Sequence, residues 1–137
     1  MPSLPNPRFL HTMLRVSNLE SSIKFWTQVC GMRVLRSTDR PEHKYSLTFL
    51  GYGSEDDHTV LELTYNYGVE SYDLGSAFGH VAIGVDDIHA TAARAAELGY
   101  VVSRAPGPVV GGTTVIAFIV APDGYKVELI QGGNEKA

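Results

Sequence analysis

Apolar and polar positions along the chain change period several times, and the changes recur in the same order. Residues 9–16 (FLHTMLRV) run apolar and β-branched without helix formers, which predicts a strand. In the next segment, NLESSIKFWTQVC, the spacing of Ile23, Phe25, Trp26 and Val29 gives a helical apolar stripe. Ser17 followed three positions later by Glu20 predicts a capping box at its start, and Gly31 is placed to stop the helix in a left-handed conformation. Strands are expected at about 32–37, 45–51 and 59–66, separated by the polar turns STDRPEH and GSEDDH. The second half repeats this: a strand in GHVAIGV (79–85), caps at Asp86 and Asp87, a helix over 88–98, Gly99, and strands near 99–104, 113–120 and 125–131. Ala121-Pro122-Asp123-Gly124 predicts a tight turn, and 67–78 is the linker candidate. The expected fold class is α+β, a βαβββ module written twice, over 9–66 and 79–131.

The repeat carries a polar signature as well as an apolar one. Glu62 follows His11 by 51 positions and Glu128 follows His80 by 48, while Gly31 and Gly99 stand 20 and 19 positions after the two histidines. Each module thus brings one imidazole and one carboxylate, and four such groups converging would form a mixed N/O site for a borderline divalent metal. Strand alternation places His11, Met13 and Arg15 on one face and Thr12, Leu14 and Val16 on the other, which reads as the helix-packed face. Glu62 and Thr64 likewise oppose Leu61 and Leu63, and Glu128 and Ile130 oppose Val127 and Leu129. Carboxylates set among β-branched residues are costly to bury unless a cation compensates.

Composition narrows the possibilities. A chain of 137 residues is long enough to bury a core. The net charge of −4 leaves no basic footprint for nucleic acid. The lone Cys30 forms no internal disulfide and fits a reducing, cytoplasmic setting. The Pro-rich start MPSLPNPRF has no apolar core of an export signal, and no stretch approaches 18 apolar residues, so neither export nor membrane insertion is expected. His43, His58 and His89 read as surface residues, Gly111-Gly112 as a turning loop without the lysine of a phosphate loop, and Cys30 as a packed small hydrophobe.

The blocks LHTMLRV, KYSLTFLGYG, VLELTYNYG, FGHVAIGVDD, GGTTVIAFI and PDGYKVELI occur in order and contain all four candidate ligands. Over residues 9 to about 131 they resemble the glyoxalase I (lactoylglutathione lyase) family of the vicinal-oxygen-chelate superfamily. The resemblance implies curved sheets in a homodimer, with His11 and Glu62 of one subunit and His80 and Glu128 of the other ligating each metal at the interface. It implies isomerisation of the methylglyoxal–glutathione hemithioacetal to S-D-lactoylglutathione, with Glu128 the stronger candidate for base and Glu62 its counterpart. Arg15 and Asn66 match positions that anchor the γ-glutamyl end of glutathione, and Arg104 one that approaches the glycyl carboxylate. Val110 stands where a Lys is common and Ser76 where some members have an Arg, so either Arg104 and backbone N–H groups hold that carboxylate or the thiol differs. The chain lacks the extension and inserted loops of longer zinc-using relatives, which favours nickel, with cobalt next and zinc last. Other readings are a related epimerase or thiol transferase, and a metal-free protein that sequesters a small molecule. An iron extradiol dioxygenase would need only two His and one carboxylate.

Overall fold

The computed structural model describes residues 6–133, so most of the Pro-rich opening stretch lies outside the described residues. The chain runs β1 (His11–Arg15), α1 (Leu19–Gln28), β2 (Arg33–Arg40), β3 (Tyr45–Gly51), β4 (Val60–Asn66), then β5 (Val81–Val85), α2 (Ile88–Glu97), β6 (Val102–Pro108), β7 (Val115–Val120) and β8 (Lys126–Gln131). A short 3₁₀ turn, Pro122–Gly124, joins the last two strands. The strands form two four-stranded sheets of identical order, β1-β4-β3-β2 and β5-β8-β7-β6. In each sheet the first strand lies parallel to the last, because the intervening helix carries the chain back across, and the remaining pairs are antiparallel. The α+β, twice-written βαβββ architecture follows directly.

Local chemistry sets the ends of the helices. Asn18 is extended and its side chain accepts the Ser21 N–H at 3.0 Å, a cap that contributes about 1 kcal/mol. The expected capping box at Ser17 is therefore displaced by one residue. Ser17 gives its own N–H to Asp123 Oδ2 at 3.0 Å and is spent on the turn before β8. Asp87 caps α2 as predicted, accepting the Ala90 N–H at 3.1 Å. Gly31 and Gly99 follow the two helices with φ of +71° and +91°, a region that strains any side chain.

Helices cover one face of each sheet. Leu14, Val16, Leu50, Leu61 and Leu63 are buried beneath α1, and Ile83, Ala117, Ile119, Val127 and Leu129 beneath α2, in one continuous core. Phe25 of α1 meets Trp26 edge-on at 5.1 Å and Tyr100 of the second half at 4.9 Å. Burying a Phe-sized side chain contributes about 1.5–3 kcal/mol. The Tyr125 hydroxyl donates to the Arg15 carbonyl at 2.6 Å, tying β8's approach to the end of β1. Leu74 and Phe78 pack on the same core, so the 67–78 connection is held against the body.

Strand ends differ from the sequence expectation in two places. β2 runs on to Arg40, through half of the expected STDRPEH turn, because Asp39 is satisfied across the sheet: it accepts from the hydroxyls of Ser46 and Tyr67. β6 starts at Val102 and continues to Pro108, beyond the end expected near residue 104.

Candidate metal centre

The helix-free face of each sheet carries one His–Glu pair. His11 opens β1, an edge strand, and Glu62 lies two positions along β4 from His11's partner Val60. His80 immediately precedes β5, and Glu128 lies beside Ala82, which reproduces the same offset. The imidazole Nε2 of His11 is 3.2 Å from Glu62 Oε1, and that of His80 is 3.1 Å from Glu128 Oε1. Both imidazoles remain substantially exposed while the carboxylates are largely covered.

Each pair rests on matching aromatic support. Phe49 lies across from Glu62 on β3 and Phe118 across from Glu128 on β7. Each ring receives its histidine edge-on at 5.4 Å, and the edge-to-face contact limits how the imidazole can tilt. One strand further out, Arg36 faces Phe49 and Arg104 faces Phe118. The Arg36 guanidinium sits 3.9 Å above the Phe49 ring and is held by Glu55 through bonds of 2.7 and 3.1 Å. That pairing draws the Glu55 carboxyl below its usual range and raises the guanidinium. Arg104 instead donates to the Pro108 carbonyl at 2.8 Å, and its Nη1 is buried without a hydrogen-bond partner.

Among the described residues no three His, Cys, Asp or Glu side chains converge. The chain brings His11 to Glu62 and His80 to Glu128 and keeps the two pairs apart. Each pair offers one imidazole nitrogen and one carboxylate oxygen, donor types that suit a borderline divalent ion. Arg15 and Asn66 share a cleft with Glu62, Thr64 and Tyr45, and Asn66 Nδ2 donates to the Tyr72 hydroxyl at 3.2 Å. Arg104 and Lys126 line a second cleft with His80 and Phe118. Val110 is 97% exposed, and Ser76 is exposed in a neighbouring cleft that also contains Lys126.

Sequence reasoning passed over Phe49, Phe118 and Arg36, and placed Thr64 on the face of Glu62 without giving it a role. A signal existed for the aromatics: Phe118 follows Phe49 by 69 positions, as His80 follows His11. The halves also differ at matched places. Thr64 and Arg15 correspond in register to Ile130 and Gly84. A side chain at Gly84 would begin 3.0 Å from the Gly133 Cα, so the chain leaving β8 occupies the space that Arg15 uses in the first sheet.

Residues 8–129 match the Glyoxalase/Bleomycin resistance protein/Dioxygenase superfamily, and the chain belongs to it. Within that class it is 58% identical over 134 residues to a probable lactoylglutathione lyase of Vibrio cholerae, covering 98% of this chain and 97% of the relative. Its fold is similar to crystalline glyoxalase I from Zea mays, with a TM-score of 0.89, 49% identity and 93% of this chain covered. The match spans 45% of the maize chain, so this chain has about half its length. The trypanothione-dependent glyoxalase I of Leishmania major is also similar, with a TM-score of 0.82 and 49% identity over 92% of this chain and 87% of that one.

Proposed function

We propose that the chain is a lactoylglutathione lyase, a metal-dependent isomerase converting the hemithioacetal of methylglyoxal and glutathione to S-D-lactoylglutathione. The observation that carries this reading is the pair of His–Glu half-sites, at 3.2 and 3.1 Å, repeated in register on the helix-free faces. Two donors per half support a homodimer in which His11 and Glu62 of one subunit meet His80 and Glu128 of the partner subunit. Phe9 and Leu10, 66% and 57% exposed beside His11, supply apolar surface for such a contact. Residues 9–66 and 79–131 act as the two modules of one unit.

Once bound, the divalent ion supplies Lewis acidity that stabilises negative charge on the substrate oxygens. The side chains do the rest. Glu128, buried beside Phe118 and Ile130, takes the proton from C1 and returns it to C2; Glu62 is its counterpart on the opposite side. The carbon-bound proton moves from C1 to C2 and the hydroxyl proton from O1 to O2, so substrate and product are isomers and no oxidant or reductant enters. Arg15 and Asn66 hold the γ-glutamyl end, and the unpartnered Nη1 of Arg104 supports an anionic group, the glycyl carboxylate, at the other.

Nickel is the preferred ion, cobalt the next and zinc the least suited. The lone cysteine supports a cytoplasmic location. No described helix is long and apolar enough to cross a membrane, and the acidic net charge argues against nucleic acid. The test is to strip the purified protein with a chelator, assay it with methylglyoxal and glutathione, and reload it. Activity should vanish and return better with Ni²⁺ or Co²⁺ than with Zn²⁺. Undiminished turnover after complete stripping would sink the metal reading, and a loaded protein inert toward the hemithioacetal would sink the lyase reading.

A further inference from the structure

Thr64 stands two positions beyond Glu62 on the same face of β4, and its Oγ1 donates to Glu62 Oε2 at 3.0 Å. The other carboxylate oxygen, Oε1, lies 3.2 Å from His11 Nε2. Both oxygens of Glu62 are therefore held, one by the neighbouring strand and one by its own. A β-branched side chain on a strand has restricted χ1, so the direction of this donor is set by the β4 backbone. Hydrogen bonds to an ionised carboxylate are about twice as strong as neutral ones. The matched position in the second module is Ile130: Thr64 lies beside Arg15 and Leu47, and Ile130 beside Gly84 and Ile116. Ile130 is buried and has nothing to donate.

We propose that Thr64 is a positioning residue of the metal centre, whose hydroxyl fixes the orientation of the Glu62 carboxylate. The inference rests on the lyase reading above. To swing toward a substrate carbon, Glu62 must break the Thr64 contact as well as leave its ligand position. Hydrogen-bonding partners of metal ligands contribute about 10- to 100-fold to metal affinity or activity when removed.

The experiment measures Co²⁺ dissociation by competition with a chromophoric chelator, the visible spectrum of the Co²⁺ protein, and kcat and KM. Thr64→Val should bind Co²⁺ about 10- to 100-fold more weakly and shift the spectrum, and Thr64→Ser should restore both. Thr64→Ala, which lacks both the hydroxyl and the β-branch, should weaken Co²⁺ binding at least as much as Thr64→Val, which keeps the shape and loses only the donor. Metal-free melting temperatures show whether each variant folds; should Thr64→Val fail to fold, the Thr64→Ala and Thr64→Ser variants decide. Wild-type affinity and spectrum in Thr64→Val would overturn the proposal. A change confined to KM would also overturn it, by making Thr64 a contact of the thiol cosubstrate. Should the unmodified protein bind Co²⁺ and turn over normally while these variants match it, the lyase reading stands and the Thr64 role alone fails. If the unmodified protein binds no Co²⁺, both fall.

Discussion

The helix-free face of the first sheet ends in Arg15, Thr64 and Asn66; the same register positions of the second hold Gly84, Ile130 and Gly132. Closer to the centre the halves are alike, each with a His, a Glu, a Phe and an Arg in corresponding places. On the proposed reading, the likeness lies where each half would contribute equal donors to one ion, and the divergence lies where an asymmetric ligand would present a different end to each half.

The largest test of this contrast compares the two carboxylates. Glu128→Gln should lower kcat by at least about a hundredfold, each factor of ten being 1.4 kcal/mol of transition-state stabilisation. Glu62→Gln should cost less in kcat and more in metal affinity; equal losses in both measurements would erase the distinction. Next comes mixing His11→Ala with Glu128→Gln under conditions that exchange subunits. In the heterodimer one site takes both lesions and the other none, so activity should climb to about a quarter of wild type. Continued inactivity, with heterodimers verified by mass, would mean that the ligands do not come from two chains.

A smaller effect separates the distal ends. Arg15→Gly should raise KM about tenfold with kcat and melting temperature nearly unchanged, as expected for a lost charged hydrogen bond. Gly84→Ala should instead cost about 1–3 kcal/mol of stability through overpacking against Gly133, read as a melting temperature lower by several degrees. A KM change from Gly84→Ala with an unaltered melting temperature would show that both ends bind ligand. The smallest effect is at Glu55. Its folded-state pKa is depressed by Arg36, so its contribution is present above the unfolded carboxylate value and lost as pH falls through the lower folded one. Melting temperatures of wild type and Glu55→Gln should differ slightly near neutrality and converge once the pH has fallen well below the ordinary carboxylate range. A gap that widens in acid would contradict the pairing.

Much of this was legible in the chain, for identifiable reasons. The strand at 45–51 was read with its observed limits because Tyr45 and Gly51 are bounded by strong turn signals on both sides. Gly31 and Gly99 marked the helix ends because only glycine takes their positive φ without strain. The His and Glu positions stood out because they repeat. The cap at Asn18 was misread because Ser17 carries an equally good local signal, and only the distant Asp123 removes it from competition. The length of β2 and the roles of Phe49 and Arg36 depend on cross-strand register, which residue order alone does not specify.

A cleft assembled from two copies of one module, as the proposed site would be, has no intrinsic front or back, and an elongated ligand could enter it either way round. The segment leaving β8 ends that ambiguity. By running across Gly84, with Gly133 where a side chain would have to begin, it closes one of two equivalent berths and leaves the berth at Arg15 open. Under the proposed assembly, two residues without side chains would thereby give the cleft a head and a tail.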